Sequence, residues 1–279
     1  MKDVGRGTFR TAIAAAFLFC GAVGAGAQPI GEDCSAPSTL TALGAPLNRT
    51  AGLLADGKSP TILAMGSSST RGVGASSPAT SYPSVLEREL RDSFPSLAIK
   101  VMNDGRSGQD VSEEFARLNR DVADARPDLV IWQVGTNALL RRADLGAEEQ
   151  AIARGVEQMK YDGVDVVLMD MQFAPRVLAR RAWADMQQLI ARIARRERVA
   201  YFRRFEIMRE WDLTGQLGPA ALIGPDGLHM TDVSYRCLAT RLARSLVEQW
   251  QAQNKLAQSP HRRPAALAGG QPPISAGRR

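Results

Sequence analysis

Five short apolar runs, each halted by glycine or a polar loop and each followed by a stretch of helical periodicity, constrain this chain more than any other feature. Residues 61–65 (Thr-Ile-Leu-Ala-Met) stop at Gly66, after which Val85, Leu86, Leu90 and Phe94 recur at helical spacing before Pro95. A second run over 97–102 precedes a charged helical stretch over 110–125, closed by Pro127. The third, over 128–134, ends at Gly135 and leads into a helical pattern over 146–160. The fourth, over 164–171, leads after Pro175 into one long arginine-rich helix reaching Arg198, and the fifth covers 199–205 before a last helix over 232–250. Strands joined by helices of this length require right-handed crossovers and a parallel sheet covered on both faces. The nearly unbroken apolar character of the strands fits burial on both sides. The expected architecture is therefore α/β, a three-layer α/β/α sandwich around about five parallel strands. Ligands of such sheets bind at the carboxyl ends of the strands.

Charge excludes one class of partner. Of the net +6 given by 35 Lys and Arg against 29 Asp and Glu, +2 lies in residues 1–27 and +5 in residues 255–279, leaving the body at −1. A body of mixed sign offers no face for nucleic acid. The N-terminal Lys2, Arg6 and Arg10, an apolar stretch over 12–23 and a closing Ala25-Gly26-Ala27 have the parts of a secretory signal peptide, with cleavage expected before Gln28. The run is too short and glycine-rich for a stable span. An exported, periplasmic or secreted protein is expected. Four segments follow: a signal peptide over 1–27, a lead-in over 28–58, one domain over 59–250 and a disordered basic tail over 251–279. Removal of the signal takes Cys20 and leaves Cys34 and Cys237, either one disulfide or two free thiols.

The predicted strand ends carry polar residues that suit acyl transfer. Gly66-Ser67-Ser68-Ser69-Thr70 follows the first strand, Asn103-Asp104-Gly105-Arg106-Ser107-Gly108 the second, and Gly135-Thr136-Asn137 the third. Asp226-Gly227-Leu228-His229 stands before the last helix. A serine nucleophile needs a base, an acid to orient that base, and donors facing the developing oxyanion. The only other histidine, His261, lies in the expected tail, so an imidazole base would be His229. Taken singly, each motif also suits a plain turn, since serine, glycine and asparagine favour turns for backbone reasons. Their joint order at successive strand ends is what points to catalysis.

These blocks resemble the SGNH-type (GDSL-like) serine hydrolases, over about residues 59–250. The resemblance implies a flavodoxin-like fold and esterase activity needing no metal or organic cofactor. It places the nucleophile at Ser68, the acid and base at Asp226 and His229, and oxyanion donors at the Ser68 and Gly105 backbone and the Asn137 amide. Ser67 stands where that family commonly has an acid, and Ala138 where it commonly has aspartate. Gln172 and Phe173, after the fourth strand, are expected to line the substrate pocket. The arginines from Arg176 to Arg198 read as a solvated helix face. Small loops suggest short acyl groups, acetyl above all, on a small-molecule or glycan-borne ester. An O-acyltransferase acting on envelope glycans and a non-catalytic envelope binding module are the alternatives. Oligomeric state is not legible.

Overall fold

The computed structural model describes residues 34–258. The expected signal peptide, and His261 with the rest of the chain beyond residue 258, lie outside the described residues.

Two helices, α1 (Ser38–Thr41) and α2 (Asn48–Ala55), precede the central strand β1 (Thr61–Gly66). Then come α3 (Ser68–Arg71), α4 (Tyr82–Ser93), β2 (Lys100–Gly105), α5 (Val111–Ala125), β3 (Leu129–Gln133), α6 (Thr136–Arg141), α7 (Leu145–Tyr161) and β4 (Asp165–Met169). The chain closes with α8 (Pro175–Leu178), α9 (Trp183–Glu197), β5 (Ala200–Phe202), α10 (Arg204–Leu213), α11 (Pro219–Leu222) and α12 (Asp232–Gln258). All five strands are parallel, in the order β2-β1-β3-β4-β5. This is the flavodoxin-like three-layer α/β/α fold.

The order decides where a site can form. From β1 the chain steps to β2 on one side, then crosses back to β3 on the other. Right-handed crossovers therefore send α4 and α5 to opposite faces. Helix α4 packs with α12, which also meets α2, while α5, α7 and α9 pack in sequence over the other face. Between β1 and β3 the two flanking layers diverge, opening a crevice at the strands' carboxyl ends. Every residue of β3 is buried and so are Val166 to Met169 of β4, as two-sided coverage requires. The edge strand β2 keeps Lys100 and Asn103 exposed.

Local chemistry fixes several boundaries. Helix α5 begins with a capping box in which Asp110 accepts from the Glu113 amide and Glu113 accepts from the Asp110 amide. Asp144 caps α7 through the Ala147 amide at 2.8 Å. Cys34 and Cys237 form a disulfide that ties the start of the described chain to α12. No helix among the described residues is long and apolar enough to cross a membrane.

Three expectations are corrected. The arginine-rich helix over 176–198 is two helices, α8 and α9, separated by a turn over 179–182. The turn is closed by the Arg180 amide on the Val177 carbonyl and the Trp183 amide on the Arg180 carbonyl. The fifth strand stops at Phe202, because Arg204 to Leu213 continue as α10. The last helix runs through Gln258, past the boundary expected at residue 250.

Candidate active site

The turn after β1 sorts three consecutive serines by exposure. Ser67 and Ser69 are buried, 2% and 1% exposed, whereas Ser68 is half-buried and faces outward at the start of α3. The inner pair is consumed by Gln133 at the end of β3, whose Oε1 accepts from the Ser67 hydroxyl at 3.1 Å and the Ser69 hydroxyl at 3.4 Å. Ser67, where the resemblance implied an acid, thus anchors the turn to the neighbouring strand.

The segment from Ile223 to Met230 folds into a tight loop closed by an antiparallel bridge between those two residues. His229 Nε2 lies 2.8 Å from Ser68 Oγ. On the other side of the ring, Nδ1 lies 2.5 Å from Asp226 Oδ2. A carboxylate only accepts, so Nδ1 carries the hydrogen and Nε2 is left to accept from the serine. Asp226 Oδ1 also accepts from the Leu228 and His229 amides, both at 2.9 Å. Burial would raise this carboxyl, but those amide bonds and the His229 ring hold it below the ordinary carboxylate range. It therefore stays ionised at neutral pH.

The glycine loop departs from expectation. The Gly105 amide donates to Asn103 Oδ1 at 2.9 Å, and its Cα lies so close to α3 that an added Cβ would sit 2.1 Å from the Arg71 nitrogen. Gly105 therefore lets β2 pass tightly beneath the turn that carries Ser68, and its N–H is already occupied. Gly108, at φ +86, has an N–H with no acceptor among the described residues. Asn137 Nδ2 donates to the adjacent Gln109 carbonyl at 2.7 Å, which brings the amide side chain to this loop and leaves its second N–H uncommitted.

Arg117, 5% exposed on α5, ties the loop to β1. Its guanidinium donates to the Asp104 carbonyl at 3.0 Å, the Gly66 carbonyl at 3.3 Å and Gln109 Oε1 at 2.7 Å, and it pairs with Asp104 and Asp121.

Gln172, expected to line the pocket, is 1% exposed and contributes from behind. Its Oε1 accepts from Thr136 Oγ1 and from Arg204 Nη2, both at 3.0 Å, while Nε2 donates to the Leu228 carbonyl at 3.2 Å. Arg204, fully buried, also donates to Ser69 Oγ at 3.3 Å. One amide and one guanidinium thus touch the immediate neighbours of Ser68, Asn137 and His229. Burial lowers the guanidinium to about 10, so it stays charged at neutral pH. Phe173 is half-buried and packs edge-on against Phe205 at 5.4 Å. Beneath them, burial pushes the Asp170 carboxyl up to about 6 although Tyr201, the Phe205 amide and Gln187 all donate to it.

Sequence reasoning missed Gln133, Arg117 and Arg204, none of which sits in a motif. The bias of Gln133, a polar residue ending an apolar strand beside Gly135, is the one signal that could have found any of them. Among the described residues no group of three or more His, Cys, Asp or Glu could hold a metal ion.

Comparison with known proteins places the chain in a family. The Non-GDSL lipase-like family matches residues 33–252. The crystal structure of TesA superposes with a TM-score of 0.58 at 23% identity, covering 68% of this chain and 99% of that one. A two-domain esterase active on acetylated mannans, CEX, gives 0.61 at 19% identity, with 74% of this chain matched to 55% of that one. Axe2, an acetylxylan esterase from Geobacillus stearothermophilus, gives 0.54 at 23% identity over 69% of this chain and 94% of that one. No curated protein sequence matches.

Proposed function

Because the chain belongs to the Non-GDSL lipase-like family, within the SGNH-type hydrolase superfamily, we propose that it is an exported serine esterase removing short acyl groups, acetyl above all. The observation that carries this reading is the continuous hydrogen-bond chain from Ser68 Oγ through the His229 ring to Asp226. Ser68 attacks the ester carbonyl as His229 Nε2 takes its proton, and Asp226 holds the ring in the required tautomer and stabilises the resulting cation. The oxyanion accepts from the Ser68 and Gly108 N–H groups and from the Asn137 amide. His229 then gives its proton to the departing alcohol. Water, deprotonated by the same nitrogen, attacks the acyl-enzyme, and the acid leaves with Ser68 restored.

Acetyl is favoured by the acetylated substrates of CEX and Axe2, and by a site lying open at the strand ends. Phe173 is retained as a contact to substrate. The Cys34–Cys237 disulfide supports an oxidising compartment, periplasmic or extracellular. Hydrolysis of a p-nitrophenyl ester series from acetyl to long-chain, by the wild type beside Ser68→Ala, tests the reading. Turnover that is highest on acetyl and lost in the variant is expected. Equal turnover by both proteins would overturn the serine mechanism, and a preference for long chains would overturn the acyl assignment.

A further inference from the structure

A cavity of about 570 Å³ lies between α6 and the turn that separates α8 from α9. Three arginines line it, Arg142 from the end of α6 and Arg180 and Arg181 from the turn, over an apolar floor that includes Leu139, Leu145 and Ala179. No carboxylate is among its lining residues. Nor does any of the three guanidiniums make an ion pair or a side-chain hydrogen bond among the described residues. The contrast with the neighbouring residue is direct: Arg141 pairs with Asp110 and with Glu113, the latter at 2.9 Å, and donates to the Gly108 carbonyl at 2.7 Å. Arg141 braces the loop, whereas Arg142 lines the cavity, exposed and without a protein partner among the described residues.

The break in the arginine-rich segment creates this arrangement. Had residues 176–198 continued as one helix, Arg180 and Arg181 would have joined its solvated face. The turn over 179–182 instead sets them opposite Arg142.

Both walls of the cavity belong to the catalytic end. Helix α6 carries Asn137 two residues before Leu139, which lines the cavity. On the other wall, the Arg176 amide at the start of α8 donates to the Gly227 carbonyl at 3.0 Å, inside the loop that holds Asp226 and His229. Helices α6 and α8 pack against each other. The cavity walls are thus tied to the segments that carry Asn137 and His229.

We infer that the cavity is a subsite for an oxyanion group, carboxylate or phosphate, carried by the ester substrate; the inference rests on the esterase reading and narrows its substrate to acidic esters. Three like charges around one concavity repel one another, and no carboxylate among the described residues pairs with them. Guanidinium forks match carboxylate and phosphate oxygens in bidentate geometry. Arg180, half-buried against the apolar floor, is the one whose attraction solvent would screen least. A uronate-bearing or phosphate-bearing acylated saccharide has the required chemistry.

Binding and turnover are measured separately so that the two readings fail separately. Calorimetric titration of Ser68→Ala with trigalacturonate, with a sugar phosphate and with neutral mannotriose reads the subsite without chemistry. Acidic saccharide binding at least tenfold tighter than mannotriose, lost when Arg142→Ala, Arg180→Ala and Arg181→Ala are combined, is expected; the stronger of the two acidic ligands identifies the anion. In the otherwise wild-type enzyme the triple substitution should lower kcat/KM at least tenfold on acetylated oligogalacturonate, with p-nitrophenyl acetate and acetylated mannan unchanged. Equal binding of acidic and neutral saccharides, or equal loss on all three esters, would overturn the subsite. Tight acidic binding by a wild type inert on every ester would instead overturn the esterase reading and leave the subsite standing.

Discussion

Replacing Gln172 with leucine removes the amide that joins the segments carrying Ser68, Asn137 and His229 while keeping the side chain's size close. Three hydrogen bonds disappear: from Thr136 and Arg204 to Oε1, and from Nε2 to the Leu228 carbonyl. A buried bond to a charged donor is worth about 2 kcal/mol and a neutral one about 1 kcal/mol, for a gross loss of about 4 kcal/mol. The leucine's apolar surface returns about 1 kcal/mol. The Arg204 Nε already lacks a partner, so the guanidinium would be left with its bond to Ser69 as its one remaining hydrogen bond to the protein. A net loss of about 3 kcal/mol lowers Tm by about 6–12 °C in a domain of this size. Catalysis should fall as well, because Thr136 and Leu228 adjoin Asn137 and His229. With p-nitrophenyl acetate, assayed well below the transition, kcat should fall about tenfold with KM little changed. The Gln172→Glu variant separates the contacts. It keeps acceptors for Arg204 and Thr136 but sets a carboxylate oxygen against the Leu228 carbonyl, so more stability and less turnover should survive than the leucine variant's ratio implies. Scanning calorimetry and steady-state kinetics on both variants decide the matter. A Gln172→Leu protein with Tm within 2 °C of the wild type and unaltered kcat would refute the idea that this amide holds the segments together.

Glu148 is 2% exposed on α7, and burial, aided by the nearby Asp110 charge, pushes its carboxyl up to about 7. The folded chain holds that proton from about pH 4 to 7 while the unfolded chain has released it, so stability falls as pH rises through this window. Glu148→Gln should therefore match the wild type at pH 4 and exceed it at pH 8 by up to about 3 kcal/mol, read from urea midpoints; equal stabilisation at both pH values would contradict the assignment. Converting Cys34 and Cys237 to alanine releases a closure spanning 203 residues, worth about 5 kcal/mol in the chain-entropy account, so Tm should drop by about 10–20 °C. A change under 3 °C would show the link to be energetically idle. Gly105→Ala drives a methyl into the Arg71 backbone, and loss of both thermal stability and turnover is expected; intact stability with reduced turnover would return Gly105 to the oxyanion site.

The parts of the fold that could be read from sequence are those set by local hydropathy. The run at 61–65 ended where Gly66 ends β1, and the third and fourth runs met β3 and β4 within two residues at either end. Segment type fails where neighbours decide it. Val199 to Phe205 carries Val, Tyr and two Phe that suit a strand, yet only Ala200 to Phe202 pair with β4, because the Phe205 amide is drawn to the Asp170 carboxylate and the chain turns into α10. The break after Leu178 is equally silent, since Ala179, Arg180 and Ala182 all favour helices.

The same division runs through the site. Asp226 and His229 can be paired on paper because they are three residues apart and only one imidazole lies in the body of the chain. Their contact with Ser68, 161 residues away, follows once strand order is known, because both segments lie at the carboxyl edge of the sheet. Gly105 and Gly108 cannot be told apart that way. Gly105 ends β2 and Gly108 lies three residues beyond it, and what separates them is the Arg71 backbone, a neighbour at the end of α3. Gln172 poses the same problem in reverse: a polar residue after a strand end reads as facing solvent until the buried Arg204 and the Leu228 carbonyl are seen around it. Motifs report groups that meet substrate, since chemistry restricts which residue types can serve there. The groups that hold those residues in place need only a donor or acceptor at the right point in space, and a glutamine after β4 with an arginine at the start of α10 meets that need without any fixed spacing.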